Sequence, residues 1–197
     1  MAGTHGCPRL NFNHRNQWPS ITGAFITNTV SYDQYIEGIS GGIAISMMND
    51  MAGGNTLNWN ALNFAYSYHL AVTRKFSILM GAQAGWNQKF LDWNKLSFGD
   101  QIDPHSGFVY TTGDLPRGNV SDGGWGTRGF FDASAGIVGF SDKFYFGFAG
   151  KHLNTPDQTL ILSDGENRLP MRFTGHMGAN IPMGGKSKYS TSTSLPL

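Results

Sequence analysis

The chain has 197 residues, 14% of them charged, with a formal net charge of +1. An ordinary soluble domain carries about 25% charged residues, so this surface is poor in charge, and near-neutrality removes any electrostatic case for nucleic-acid binding. The single cysteine, Cys7, excludes a disulfide framework or a thiolate metal site.

Twenty-seven glycines and 13% aromatics accompany that low charge. The combination suits strands with one face toward lipid and a crowded, small-sided face opposite, or else a Gly-rich soluble sandwich or jelly roll. No run of 18 apolar residues exists, so no transmembrane helix is expected. The mean hydropathy of −0.27 is compatible with a membrane barrel, because alternation averages its two faces. Met1 to His5 has neither a basic start nor an apolar stretch, so an export signal is missing.

In chain order, Leu10 to Arg15 is a short strand, closed by Asn16-Gln17-Trp18-Pro19, where Pro19 ends ladder hydrogen bonding. Ala24 to Tyr35 reads as strand from its Thr, Val, Ile and Tyr content. A turn over 36–42 leads into Gly42–Met48, with Ile43, Ile45 and Met47 on one face. Composition makes Asn49 to Asn55 a loop.

Leu57–Leu70 and Phe76–Phe90 follow, joined tightly around Thr73-Arg74-Lys75. Their alternation is the strongest signal in the chain. Leu62, Phe64, Tyr66, Tyr68 and Leu70 share one parity; so do Phe76, Ile78, Met80, Ala82, Ala84 and Trp86. Period two means one apolar face per strand, and about 9–11 tilted residues cross a bilayer. Residues 91–126 are rich in Asp, Gly, Pro and Asn and predict a long extracellular loop. Phe130–Phe140, a turn at 141–143, Phe144–Leu153, a polar loop over 154–169 and Met171–Ile181 complete about eight strands, before a turn near 182–188.

The connections near 36–42, 71–75, 141–143 and 182–188 are short, and those near 49–56, 91–126 and 154–169 longer. That parity is how outer-membrane barrels are wired, with short periplasmic turns and long external loops. His69, Asp132, Lys151, Arg172 and His176 fall on the inward parity, and no charge sits mid-strand on the lipid parity of the four clearest strands. A lipid-facing Arg or Lys costs about 2–4 kcal/mol at the midplane, so this absence discriminates. The expectation is an all-β, antiparallel transmembrane outer-membrane β-barrel, one domain over 1–197.

Site chemistry is sparse. Gly124-Trp125-Gly126-Thr127-Arg128-Gly129 spells G-x-G-x-x-G but follows a loop and precedes a strand, so nucleotide binding is not expected. The six histidines have no metal-ligand spacing, Asp92, Asp100 and Asp103 match neither an EF-hand nor a defensible acid/base pair, and no G-x-S-x-G elbow exists. No enzyme, metal or cofactor is expected. In the 91–126 loop, Trp93, Phe98, Phe108, Tyr110 and Trp125 mix with Asp92, Asp100, Asp103, His105 and Arg117. Aromatics beside charges on a long loop suit a partner-binding surface, carried by Trp93, Asp100, Asp103, His105 and Trp125; the alternative is a loop folded inward as a plug.

Arg15-Asn16-Gln17-Trp18-Pro19, Ser31-Tyr32-Asp33-Gln34, Gly41-Gly42-Ile43, Asn49-Asp50, Ala65-Tyr66-Ser67-Tyr68 and Phe98-Gly99-Asp100 stand in this order, with Gly147-Phe148-Ala149, His152-Leu153 and Pro156-Asp157 after them. On these pieces the chain resembles the PorP/SprF family of Bacteroidota outer-membrane proteins, tied to type IX secretion and gliding motility. The resemblance implies a non-catalytic barrel in the outer membrane, helping secretion or surface anchoring of cargo such as adhesins. Its implied partners are outer-membrane lipid, secretion components and the C-terminal sorting domain of cargo. Arg15, Asn16, Gln17, Trp18 and Pro19 are then a structural family motif. Family members carry a signal peptide and are longer, so the chain is expected to be part of a larger barrel, incomplete at both ends. The competing reading is a soluble secreted β-sandwich that binds glycans on Trp93 and Trp125.

Overall fold

The computed structural model describes residues 2–4, 7–113, 125–161 and 167–179. Eight strands form one antiparallel sheet in which every strand but one pairs with its sequence neighbour: β1 (Arg9–Gln17), β2 (Phe25–Ile36), β3 (Gly41–Ala52), β4 (Leu57–Thr73), β5 (Phe76–Asp92), β8 (Trp125–Ser141), β9 (Phe144–Lys151) and β10 (Arg172–Ala179). The exception is the step from β5 to β8, which skips a two-stranded hairpin, β6 (Ile102–Asp103) with β7 (Gly107–Phe108). The sheet is the up-and-down meander of a β-barrel wall, although β1 and β10 are not paired with each other. No described helix is long and apolar enough to cross a membrane.

Continuous register carries one face across the strands. Met47 lies opposite Leu62, Leu62 opposite Trp86, and Trp86 opposite Phe131. On the other face Ala44 meets Ala65, Ala65 meets Gln83, and Gln83 meets Ser134. His69, Asp132, Lys151, Arg172 and His176 all occupy this second, polar face, as the alternation predicts. The polar face is also the covered one. Ser67 is 1% exposed and Asn87 5%, whereas Phe64 and Trp86 are each 54% exposed. Crowding on one side and splaying on the other makes the polar face the concave side of a curled sheet.

The convex face is an apolar band. Phe76 to Trp86 on β5 spans ten residue steps, about 34 Å of strand, and a tilt of about 40° leaves about 26 Å of height, close to the about 25 Å band of a transmembrane barrel. Facing water, each Å² of it would forgo about 25 cal/mol. Hydrocarbon is the solvent it fits.

The strand boundaries depart from the expected ones in an instructive way. Asn49 to Ala52, assigned above to a loop, are the last residues of β3, and the connection to β4 shrinks to residues 53–56. Their Asn and Asp side chains are paired instead of solvated: Asn49 Nδ2 donates to Asn58 Oδ1 at 2.9 Å and to Asn60 Oδ1 at 2.8 Å, and Asp50 accepts from Thr27 Oγ1 at 2.6 Å. This connection is therefore not one of the long ones. The 91–126 loop narrows to 93–124 because β5 runs to Asp92 and β8 starts at Trp125. The turn expected at 182–188 lies outside the described residues.

The concave face is lined by polar pairs. Arg9 grips Asp33 through Nε–Oδ1 at 2.8 Å and Nη2–Oδ2 at 3.3 Å, and Trp59 Nε1 donates to Asn87 Oδ1 at 3.1 Å. Among the described residues no buried side-chain nitrogen or oxygen lacks a partner. Residues 2–4 also lie on this face. Ser67 Oγ donates to Ala2 O at 2.5 Å, and Ala2 is 5% exposed. Gly42 allows the approach, since a Cβ there would sit 2.5 Å from both Ala2 C and Gly3 Cα. Gly42→Val is expected to expel the segment at a cost of about 1–3 kcal/mol of overpacking. In a Cys7→Ser background, maleimide labelling of Ala2→Cys should turn from protected to rapid; continued protection would mean the niche tolerates a side chain.

Candidate functional site

Two regions at the long-loop end of the sheet gather the unusual chemistry: the β5–β8 connection and the segment that follows β9. In the first, Trp93 opens a 3-10 turn (Trp93–Lys95) capped by Asp92, whose carboxylate accepts from Asn94 N at 3.2 Å. The Trp93 ring packs on Phe98 with centroids 4.9 Å apart. A second 3-10 turn (Gly99–Gln101) leads into the β6–β7 hairpin, where the main-chain N–H groups of Val109 and Tyr110 both reach Gln101 O, at 3.1 and 3.3 Å.

Asp100 and Asp103 are spent on this architecture. Asp100 Oδ2 accepts from Thr112 Oγ1 at 2.9 Å and Gly113 N at 2.8 Å. Asp103 Oδ1 accepts from His105 N and Ser106 N, each at 2.8 Å, the pattern of an Asx turn. Those N–H groups, His105 first and then Ser106, hold the Asp103 carboxyl below its ordinary 3.8. A depressed carboxylate pKa means the turn is favoured above the ordinary value and loses this support as pH falls through the lower, folded one. His105 itself is exposed, and the side chain of Trp125 lies outside the described residues, as does Arg117.

With the carboxylates turned to the backbone, apolar side chains are left outward. Ile102, Phe108, Val109 and Tyr110 are 48–68% exposed, and Ile102 sits directly opposite Phe108 in the hairpin register. Aromatic content at Phe108 and Tyr110 is legible in the sequence. Ile102 and Val109 join them only through the hairpin pairing, which no local pattern announces.

The segment after β9 folds inward. Its anchors are wall side chains on the concave face. His152 Nδ1 lies 3.0 Å from Asp132 Oδ1, Arg128 Nη2 reaches Asp157 Oδ2 at 2.8 Å, and Lys89 Nζ donates to Gln158 Oε1 at 2.5 Å while standing 5.1 Å over the Trp59 ring. Asp157 also holds its own turn, accepting from Thr159 N at 3.0 Å, and Asn167 N donates to Thr159 Oγ1 at 2.7 Å. Thr159 is 2% exposed. Asn154 replaces missing ladder bonds, accepting from Ala133 N at 3.0 Å and donating to Phe131 O at 2.6 Å. The result is a strap across the inner wall at the loop end.

The Arg15–Pro19 motif builds the turn out of β1. Arg15 Nη2 donates to Gln17 Oε1 at 2.8 Å, Trp18 takes a left-handed φ of 56°, and Ile21 N donates to Trp18 O at 3.0 Å. The Trp18 ring meets Phe25, the first residue of β2, edge-on at 5.8 Å. Among the described residues there is no cluster of three or more His, Cys, Asp or Glu that could hold a metal.

Arg128→Ala removes a charge-assisted pair and is expected to loosen the strap by about 1–2 kcal/mol. Amide exchange at Gln158 and Thr159 should quicken about tenfold while that of β4 and β5 stays constant; equal rates would show that the strap is held without this pair. Asp103→Ala, in turn, should raise exchange at His105 and Ser106 at neutral pH, with the difference shrinking as the solution is acidified.

These features belong to a sheet and the loops at one end of it. No curated protein and no solved structure matches the chain. The family model described as type IX secretion system membrane protein PorP/SprF matches residues 1–195. With nearly its whole length matched, the chain belongs to the PorP/SprF family of type IX secretion system membrane proteins.

Proposed function

We propose that the chain forms part of a non-enzymatic outer-membrane β-barrel that helps type IX cargo, such as a surface adhesin, to be secreted or anchored. In this reading the β6–β7 hairpin is the docking surface for a secretion component or for the cargo's C-terminal domain. The observation that carries it is the exposed apolar cluster Ile102, Phe108, Val109 and Tyr110 on a hairpin braced by Asp100 and Asp103. Side chains in the convex band have lipid to cover them; these project from a loop beyond it. Clustered apolar groups that face water mark interaction sites, and aromatic anchors dominate binding energy. In this reading the carboxylates of Asp100 and Asp103 position the hairpin, and Phe108 to Tyr110 touch the partner.

The glycan-binding sandwich is the weaker reading. Trp93 lies against Phe98, which occupies a ring face a sugar would need. Among the described residues the eight-stranded sheet is accompanied only by the two-stranded β6–β7 hairpin, whereas a sandwich requires two sheets packed face to face.

The combined variant Phe108→Ser, Val109→Ser, Tyr110→Ser in the full-length protein is expected to reduce surface display of cargo at least tenfold. Heat-modifiable migration on unboiled gels should remain, showing that the barrel still assembles. Normal display in that variant would remove the hairpin from the binding surface. Solubility of the full-length protein without detergent would remove the barrel itself.

A further inference from the structure

The convex face changes chemistry abruptly between two adjacent rows of residues. In the lower row Met47, Leu62 and Trp86 stand side by side on β3, β4 and β5. In the next row toward the long loops, Asn49, Asn60 and Gln88 occupy the same three strands. Both rows line one shallow groove of about 400 Å³.

Trp86 joins the two rows. Its indole lies across Gly129, the residue opposite Gln88, so closely that a Cβ at Gly129 would fall 2.7 Å from Cζ2. The ring thus reaches the level of the amides, and Trp86 remains 54% exposed. The amides are only partly used. Asn49 donates to Asn58 and Asn60, while the Nδ2 of Asn60 and the whole amide of Gln88 make no hydrogen bond among the described residues.

No charge stands on the convex face of these rows. Beyond them, at the end of β5, Asp92 and Lys95 are 3.5 Å from each other, and Lys95 Nζ also donates to Gly54 O at 3.1 Å. Lipids with phosphate headgroups are recognised by Lys and Arg, which this groove lacks. Neutral amides offer paired donors and acceptors suited to hydroxyl groups, and an interfacial Trp sits at headgroup level with its ring toward the chains.

The geometry points to a seat for one outer-leaflet lipid with an uncharged, hydroxyl-rich sugar headgroup, its acyl chains over Met47, Leu62 and Trp86 and its sugar against Asn60 and Gln88. This rests on the outer-membrane barrel reading, which sets the leaflet. Protein–lipid contact here is specific at the headgroup and generic along the chains.

The test uses the full-length protein in nanodiscs containing equal amounts of monogalactosyldiacylglycerol and phosphatidylglycerol with matched chains, with retained lipid counted by native mass spectrometry. Wild type should retain the galactolipid about tenfold over the phospholipid, the scale of two exposed hydrogen bonds. Asn60→Leu with Gln88→Leu should abolish that preference without changing total lipid, and Gln88→Lys should reverse it toward phosphatidylglycerol. Heat-modifiable migration of each variant verifies assembly. Equal retention of both lipids by wild type, or an unchanged preference in the double Leu variant, overturns the seat but leaves the barrel intact. A full-length protein that stays soluble and monodisperse without any lipid or detergent overturns both.

Discussion

In a pleated strand neighbouring side chains point to opposite faces, so a slip of one residue between two strands would turn a whole set of side chains over. Here such a slip would carry His69, Asp132 or Lys151 into the apolar band and Phe64 or Phe146 onto the polar wall. The register from Arg9 opposite Asp33 to His176 opposite Gly147, shifted at the β4–β5 turn between Ala71 and Thr73, is therefore the constraint on which the loops, the strap and the groove all depend. The penalty for error is set by the two solvents: water for one face, hydrocarbon for the other.

The small residues of the concave face follow from the same constraint. Curling brings side chains together on the polar side, and small residues such as Ala65, Gly81, Ser134 and Gly136 line it. The room they leave is taken up from both ends of the molecule. Ala2 and Gly3 settle by Gly42 and Ser67 near the short-turn end, and the strap from His152 to Thr159 crosses near the long-loop end. The buried polar side chains among the described residues all have hydrogen-bond partners, without a packed apolar core behind them.

What was legible beforehand was the part written in period two. The parity of β4, β5, β8 and β9 identifies the apolar face residue by residue, and family resemblance adds the secretion context. Two things were not legible. Asn49 to Ala52 read as loop because Asn and Asp favour turns when they bond to their own backbone; here they bond across strands, a choice that needs β4 in place. The inward fold of the strap rests on Lys89 with Gln158 and Arg128 with Asp157, pairs 69 and 29 residues apart, and no local spacing encodes those. Asp100 and Asp103 stand out in the sequence, but their bonds to Thr112, Gly113, His105 and Ser106 depend on the backbone around them, which no local pattern states.

One feature of the wall also governs how it comes apart. β8 is matched to β5 along its full length, Trp125 to Ser141, but to β9 only from Ala135 to Phe140. Above Ala135 its far edge is held by the Leu153 N–H and the amide of Asn154 in place of a ladder. Like a zip left half closed, the β8–β9 join is the line of least resistance in the sheet, and β9 with β10 forms the leaf that would swing first under heat or pulling force. Mechanical strength is thus unevenly distributed across the sheet, and the strap is the stitch across its weakest line.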